Sequence, residues 1–172
     1  MLKTEVEEAL NEQINAELYS SYLYLSMSAY LEEENLSGFA HWMQIQAQEE
    51  AVHAMKIQNY VQERGGRVIL DEIEKPPVEW NSALDVAEMT LEHEQKVTSL
   101  INELVDLAEE VGDHATRQFL QWFVEEQVEE EDSADELVQQ LKMAGDDPRG
   151  LMMLDREFAA RPPMFQIPGE ED

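Results

Sequence analysis

The chain of 172 residues contains no cysteine, which excludes disulfides and thiolate metal sites; any bound metal must be held by oxygen and nitrogen. It has no run of about 18 apolar residues, so no transmembrane helix is expected. Positive charge is scarce. Eleven Lys and Arg stand against 39 Asp and Glu, a net charge of −28 at pH 7. Such a chain does not bind nucleic acid by neutralising phosphates; it attracts cations and repels anions. No useful stretch alternates at period two, so strands are not expected. Met1-Leu2-Lys3-Thr4-Glu5 does not read as a signal peptide, because acidic helix follows at once. A cytoplasmic protein, with no membrane and no nucleic acid among its partners, is the expectation.

What is present is helical periodicity. Four long amphipathic patterns and one short one place helices at about 4–34, 37–64, 82–111, 113–144 and 147–158, before an acidic tail at 161–172. One domain of ordinary size accounts for the length. Thr4, with Glu7 three residues on, reads as the cap of the first helix, and Ser37 as that of the second. Asn81 or Ser82, Asp113 and Asp147 cap the other three, the last with Pro148 at its first position. Arg64-Gly65-Gly66 is a glycine stop. The link at 65–81 contains Pro76-Pro77 and has no helical period. Fully extended it spans on the order of 55 Å, whereas the second helix is about 40 Å long. It can therefore return along a whole helix, leaving the second and third helices parallel.

The second helix carries the organising feature, Glu50-Ala-Val-His53. Residues three apart share a helical face, so a carboxylate and an imidazole point the same way and can hold one divalent transition metal. They interrupt a stripe of Phe39, Met43, Gln46, Ile57 and Tyr60 that should face a core. Charge buried there is costly unless it is paired or bound to metal. The other stripes are broken in the same manner: by Glu17 on the first helix, Glu94 on the third, and Gln127 and Glu130 on the fourth. In an antiparallel pair, residues equidistant from the turn lie level. Glu17 and His53 are each 18 residues from position 35, and Glu94 and Glu130 are each 18 from position 112. Phe39-x-x-Trp42 before Glu49-Glu50 is echoed by Phe119-x-x-Trp122 before Glu129-Glu130, at an offset of 80. The halves read as related hairpins whose carboxylates meet inside a bundle. Four carboxylates and an imidazole suit Fe, Mn or Zn. Two divalent ions would neutralise them, with Glu50 and Glu130 placed to bridge or flank the pair.

Asn15-Ala16-Glu17-Leu18-Tyr19, Glu49-Glu50-x-x-His53 and Glu126-Gln127-x-x-Glu130, with the short fifth helix, resemble the ferritins, most closely the non-haem ferritins of bacteria and archaea. The resemblance spans nearly the whole chain. It implies an all-α, ferritin-like four-helix bundle with a long crossover between the second and third helices and a short fifth, C-terminal helix. It implies a ferroxidase centre in which Glu17, Glu50 and His53 hold a first iron, and Glu50, Glu94 and Glu130 a second, with Gln127 hydrogen-bonding nearby. Glu49, Glu126, Glu129 and Glu130 match a third iron site, and Tyr24 matches a tyrosine beside the centre. Departures exist. A second Glu-x-x-His is lacking on the fourth helix. Val52 stands where a haem methionine would be sought, so no haem is expected, and Met55 reads as packing. The channel carboxylates of animal ferritins find no clear match near Arg117, Gln118, Leu120 and Gln121. Trp122 reads as core, and His41, His93 and His114 as surface or hydrogen-bonded histidines.

The implied function is iron storage and detoxification. Fe(II) is oxidised by O2 or H2O2, and ferric mineral is kept inside a homo-oligomeric cage of 24 subunits. Leu151, Met152, Leu154 and Phe158 of the short fifth helix would then need a partner surface. A different class of reading is a di-iron or di-manganese oxidase or peroxidase of rubrerythrin-like type, without storage. Such proteins carry more Glu-x-x-His motifs and often a cysteine-bound iron domain, and neither is present. A bundle with a vestigial site is disfavoured by the full ligand set.

Overall fold

A computed structural model describes residues 2–145 and 147–162. The described residues form five helices and no strand: α1 (Thr4–Glu33), α2 (Ser37–Glu63), α3 (Ala83–Glu110), α4 (His114–Ala144) and α5 (Pro148–Phe158). The fold is all-α, four long helices in a bundle and a short fifth at its end. The part of the acidic tail beyond Pro162 lies outside the described residues.

The caps differ from expectation where the partner is distant. Ser82, Asp113 and Asp147 accept from the backbone N–H of Asp85, Thr116 and Arg149, closing the first turns of α3, α4 and α5. Thr4 is not a cap. Lys3 occupies that position without a side-chain bond, and Glu7 accepts instead from the backbone N–H of Arg67 at 3.1 Å, tying the crossover to α1. Nor does Ser37 cap α2. The free N–H groups of Gly38 and Phe39 donate to Oδ1 of Asp155 in α5, at 2.8 and 3.0 Å. Helix α2 is stopped just past its end by Gly65, in the left-handed region at φ 76°, with Gly66 N–H returned to the Val61 carbonyl.

Inter-helix bonds fix the directions. Lys3 donates to the carbonyl of Val111, and Ser20 and Tyr24 reach His93 and Glu94, so α1 and α3 run antiparallel. Gln46 meets Glu130, and Arg64 meets Asp113, so α2 and α4 do too. The crossover makes this possible by running back along α1. Asn11 exchanges bonds with Arg67 and Ile69, Asn15 donates to Glu72, Ser26 donates to Pro77, and Trp80 packs on Tyr30.

The apolar core is in two parts. Towards one end lie Leu23, Met27, Leu31, Phe39, Trp42, Met43, Trp80, Val86 and Leu137. Towards the other lie Val6, Leu10, Ile14, Ile57, Ile101, Leu104, Leu120 and Phe123. Each fully buried large side chain contributes about 1.5–3 kcal/mol, and this offsets the cost of the polar layer between the two. On α3 the buried face runs through Val86, Thr90, Glu94, Val97, Ile101, Leu104 and Ala108, while Leu84, Leu91, Thr98 and Val105 beside it are half-buried. Met55 is not packed but half exposed. Leu151, Leu154 and Phe158 of α5 already rest on the bundle of their own chain, which leaves Met152 and Met153 exposed.

Candidate metal centre

The layer between the two apolar clusters contains Glu17, Glu50, His53, Glu94, Gln127 and Glu130, all buried. One residue from α1, two from α2, one from α3 and two from α4 converge there because each interrupts its helix's inner stripe at the same level. Glu17, Glu50 and His53 offer ligand atoms within 4.8 Å of one another. A second such triad is His53, Glu126 and Glu130. His53 thus stands between an inner group and an outer one.

Neighbouring side chains orient the carboxylates. Gln13 donates to Glu17 Oε1 at 2.8 Å. Tyr24 donates its hydroxyl proton to Glu94 Oε1, while Gln127 donates to Glu94 Oε2 at 3.2 Å. Gln46 donates to Glu130 Oε2 at 2.7 Å. Glu50 is the exception: among the described residues nothing donates to either of its oxygens, and Glu17 Oε2 is likewise unmatched. His53 Nδ1 lies 3.5 Å from Glu50 Oε2. The Trp122 ring stands edge-on to His53 at 5.4 Å, with the Lys56 ammonium 3.5 Å above its centroid.

Burial dominates the proton affinities. It raises Glu17 despite the bond from Gln13. It raises Glu50 well above the carboxylate range, helped by the charges of Glu17 and Glu94. Glu94 is pushed up to about 7 by burial, against the bonds from Tyr24 and Gln127. Glu130 rises to about 8 by burial and the charge of Glu94. Burial, assisted by Lys56, lowers His53 to about 4. At neutral pH His53 is therefore an uncharged imidazole, as a ligand must be, and its contact with Glu50 is not an ion pair. Burial and Glu94 raise Tyr24 well above its usual value, so it remains a donor. This is an oxygen-rich, water-poor site short of positive charge: the donor set a hard or borderline divalent cation completes.

Of the residues matched to a third site, Glu126 and Glu130 come together beside His53. Glu49 is instead paired with Arg161 at 2.7 Å, and Glu129 is exposed. Burial raises Glu126, with the charges of Glu129 and Glu49 adding to it. His93 bonds Ser20 at 2.8 Å and His41 meets the Arg161 carbonyl at 2.9 Å, whereas His114 is exposed. Three polar partners escaped the sequence reading. Gln13 sits one turn before Glu17, a spacing that could have found it. Gln46 lies on the stripe already read. Arg161 follows the last helix and carries no periodic signal.

The sequence and the fold both have known relatives. Residues 7–144 match the family model for ferritin, described as a ferritin-like domain. The bacterial non-heme ferritin of Bacteroides fragilis is 46% identical over 161 residues, covering 94% of this chain and 100% of that protein. A probable bacterial non-heme ferritin-like protein of Haemophilus influenzae is 41% identical over 158 residues, 92% of this chain and 96% of that one. Among solved structures, an open pore ferritin from the hyperthermophilic archaeon Archaeoglobus fulgidus superposes with a TM-score of 0.93 at 51% identity, over 94% of this chain and 100% of that chain. On its sequence, its fold and the residues brought together at its centre, the chain belongs to the ferritin family.

Proposed function

We propose that this chain is a subunit of an iron-storing cage and oxidises Fe(II) at the buried layer of Glu17, Glu50, His53, Glu94 and Glu130. The observation that carries the reading is Glu50, a buried carboxylate with neither oxygen bonded, facing Glu17 and His53 on its own side and Glu94 and Glu130 across the bundle. An unsatisfied buried polar group costs about 1–3 kcal/mol. Two Fe(II) ions on either side of Glu50 would satisfy both its oxygens and discharge the layer. Glu17 and His53 would complete one ion, and Glu94 and Glu130 the other. The names of the relatives, non-heme ferritins, support iron as the metal.

Iron is the substrate. Each Fe(II) gives up one electron. O2 that takes two electrons and two protons leaves as H2O2, and H2O2 that takes two electrons and two protons leaves as two waters. The protein contributes position and charge. Gln13, Tyr24, Gln46 and Gln127 hold the carboxylates in place, and the apolar clusters on both sides limit water. Carboxyls that carry protons when the site lacks metal release them as Fe(II) binds. Ferric ions that leave the layer hydrolyse and build mineral in the cage.

The test is an aerobic Fe(II) titration followed by size separation, scored for iron retained per chain. Iron far in excess of the two site equivalents, co-eluting with a large assembly, supports storage. Uptake that stops at two or three per chain on a small oligomer refutes it and favours a di-iron oxidase.

A further inference from the structure

The outer acidic group beside the centre already has a cation of its own. Arg161 follows α5, and its guanidinium reaches back into the bundle. Nη2 donates to Glu49 Oε2 at 2.7 Å, and Nη1 donates to Gln46 Oε1 at 2.5 Å. Gln46 then turns its amide nitrogen to Glu130 Oε2 at 2.7 Å. One guanidinium thus engages Glu49 directly and Glu130 through Gln46, and Glu130 is a member of the outer triad with His53 and Glu126. Because Gln46 must accept from Arg161, it can present only its NH2 to Glu130.

This placement is built. Asp155 of α5 caps α2, and Phe158 packs on Phe39 at 5.1 Å and edge-on to Trp42 at 6.4 Å. The chain therefore delivers residue 161 to a fixed point. There the Arg161 carbonyl accepts from His41 at 2.9 Å, and the guanidinium lies 5.0 Å from the centroid of Trp42. In a chain with 11 basic residues among 39 acidic ones, a basic side chain held at the mouth of the carboxylate layer is a specific expenditure of charge.

We propose that Arg161 is a displaceable counter-cation of the outer subsite. A guanidinium and a metal ion compete directly for the Glu49 carboxylate, and the seated Arg161 also holds the Gln46 amide against Glu130 Oε2. While Arg161 is seated, a third divalent ion binds Glu49, Glu126 and Glu130 only by expelling it. The inner pair therefore fills first, and the outer subsite opens as the residues after α5 let go. Arg161 is a positioning residue that sets the order of filling. The inference rests on the reading of the buried layer as a divalent metal centre.

The experiment is a Zn(II) titration of the full-length protein by calorimetry, with redox-inert Zn(II) as the probe, comparing the parent with Arg161→Gln and Arg161→Lys. The parent is expected to take two tight equivalents and a weaker third. R161Q should strengthen the third by about tenfold, the scale of removing one nearby competing charge, while R161K, which keeps the charge, stays near the parent. A third equivalent unchanged or weakened in R161Q overturns the role of Arg161 and leaves the inner centre standing. If the parent takes no tight equivalent, the metal-centre reading fails, and this inference with it. Should R161Q lose the inner equivalents as well, the parent decides alone by hydrogen exchange at residues 156–161. Faster exchange on going from two to three Zn(II) per chain supports displacement, and unchanged protection overturns it.

Discussion

At the residue scale, the proposed ligand Glu50 weakens the metal-free fold, since among the described residues neither of its buried oxygens has a hydrogen-bond partner. Glu50→Leu should raise the stability of the metal-free protein by about 1–3 kcal/mol, the cost of the orphaned group. The same change should abolish the two tight metal equivalents and the fast phase of Fe(II) oxidation. Thermal melts and stopped-flow absorbance check the two halves; a less stable apo protein would show that Glu50 has a structural partner. The raised carboxyls also fix a pH dependence. Glu94 and Glu130 titrate at about 7 and about 8 in the fold, above the ordinary 4.5. Between those limits the folded chain holds protons that the unfolded chain has released, so stability falls as pH rises. His53 and His93, lowered to about 4 from 6.5, act oppositely, but only below 6.5. From pH 6.5 to 8 the carboxyl effect stands alone, and the apo melting temperature should fall. With saturating Zn(II) the slope should reverse, because metal displaces those protons more readily at higher pH. These positions were legible in the sequence because a carboxylate on an apolar stripe is conspicuous. The proton affinities were not, because they depend on burial and on charges from other helices.

At the element scale, α5 and α2 hold each other. Asp155 accepts from two backbone N–H groups of α2 across 117 and 116 positions of sequence. Asp155→Ala should cost about 1 kcal/mol, as loss of a helix cap does, with faster hydrogen exchange at residues 38–40. The close approach needs glycine at position 38: a Cβ there would lie 1.6 Å from the Asp155 carbonyl oxygen. Gly38→Ala, which favours an isolated helix, should here push α5 off its seat. The expected result is lost protection over 148–158 and destabilisation at least as large as that of D155A. Unchanged exchange in both variants would show that α5 is held by Leu151, Leu154 and Phe158 alone. Caps at Ser82, Asp113 and Asp147 could be read from sequence because donor and acceptor lie two or three residues apart. The cap of α2, and Arg161 on Glu49, could not, since nothing local marks a partner that distant.

At the scale of the molecule, the meeting of the carboxylates was legible from one geometric fact. Antiparallel hairpins place equidistant residues level, and the crossover's reach along α1 lets two hairpins close on one layer. What the pattern could not supply is how the outside of the bundle is used. Tyr22 and Leu25 of α1 and Ile69, Leu70, Ile73 and Val78 of the crossover are exposed. A cage would cover such apolar surface, and each contact would stabilise it in proportion to area. Against this stands a net charge of −28 on every chain, which repels its copies. The two forces differ in salt dependence. The Debye length shrinks from about 30 Å at 0.01 M to about 3 Å at 1 M, so added NaCl removes the repulsion and leaves the apolar contacts. Assembly at low protein concentration should therefore rise steeply with NaCl, and the melting temperature with it, as sedimentation velocity and thermal melts would show. Na2SO4 at matched ionic strength should do at least as well, because sulfate also strengthens apolar burial. Dissociation on adding salt would mean the subunits are joined chiefly by ion pairs, and the exposed apolar strip would then have to be assigned to some other contact.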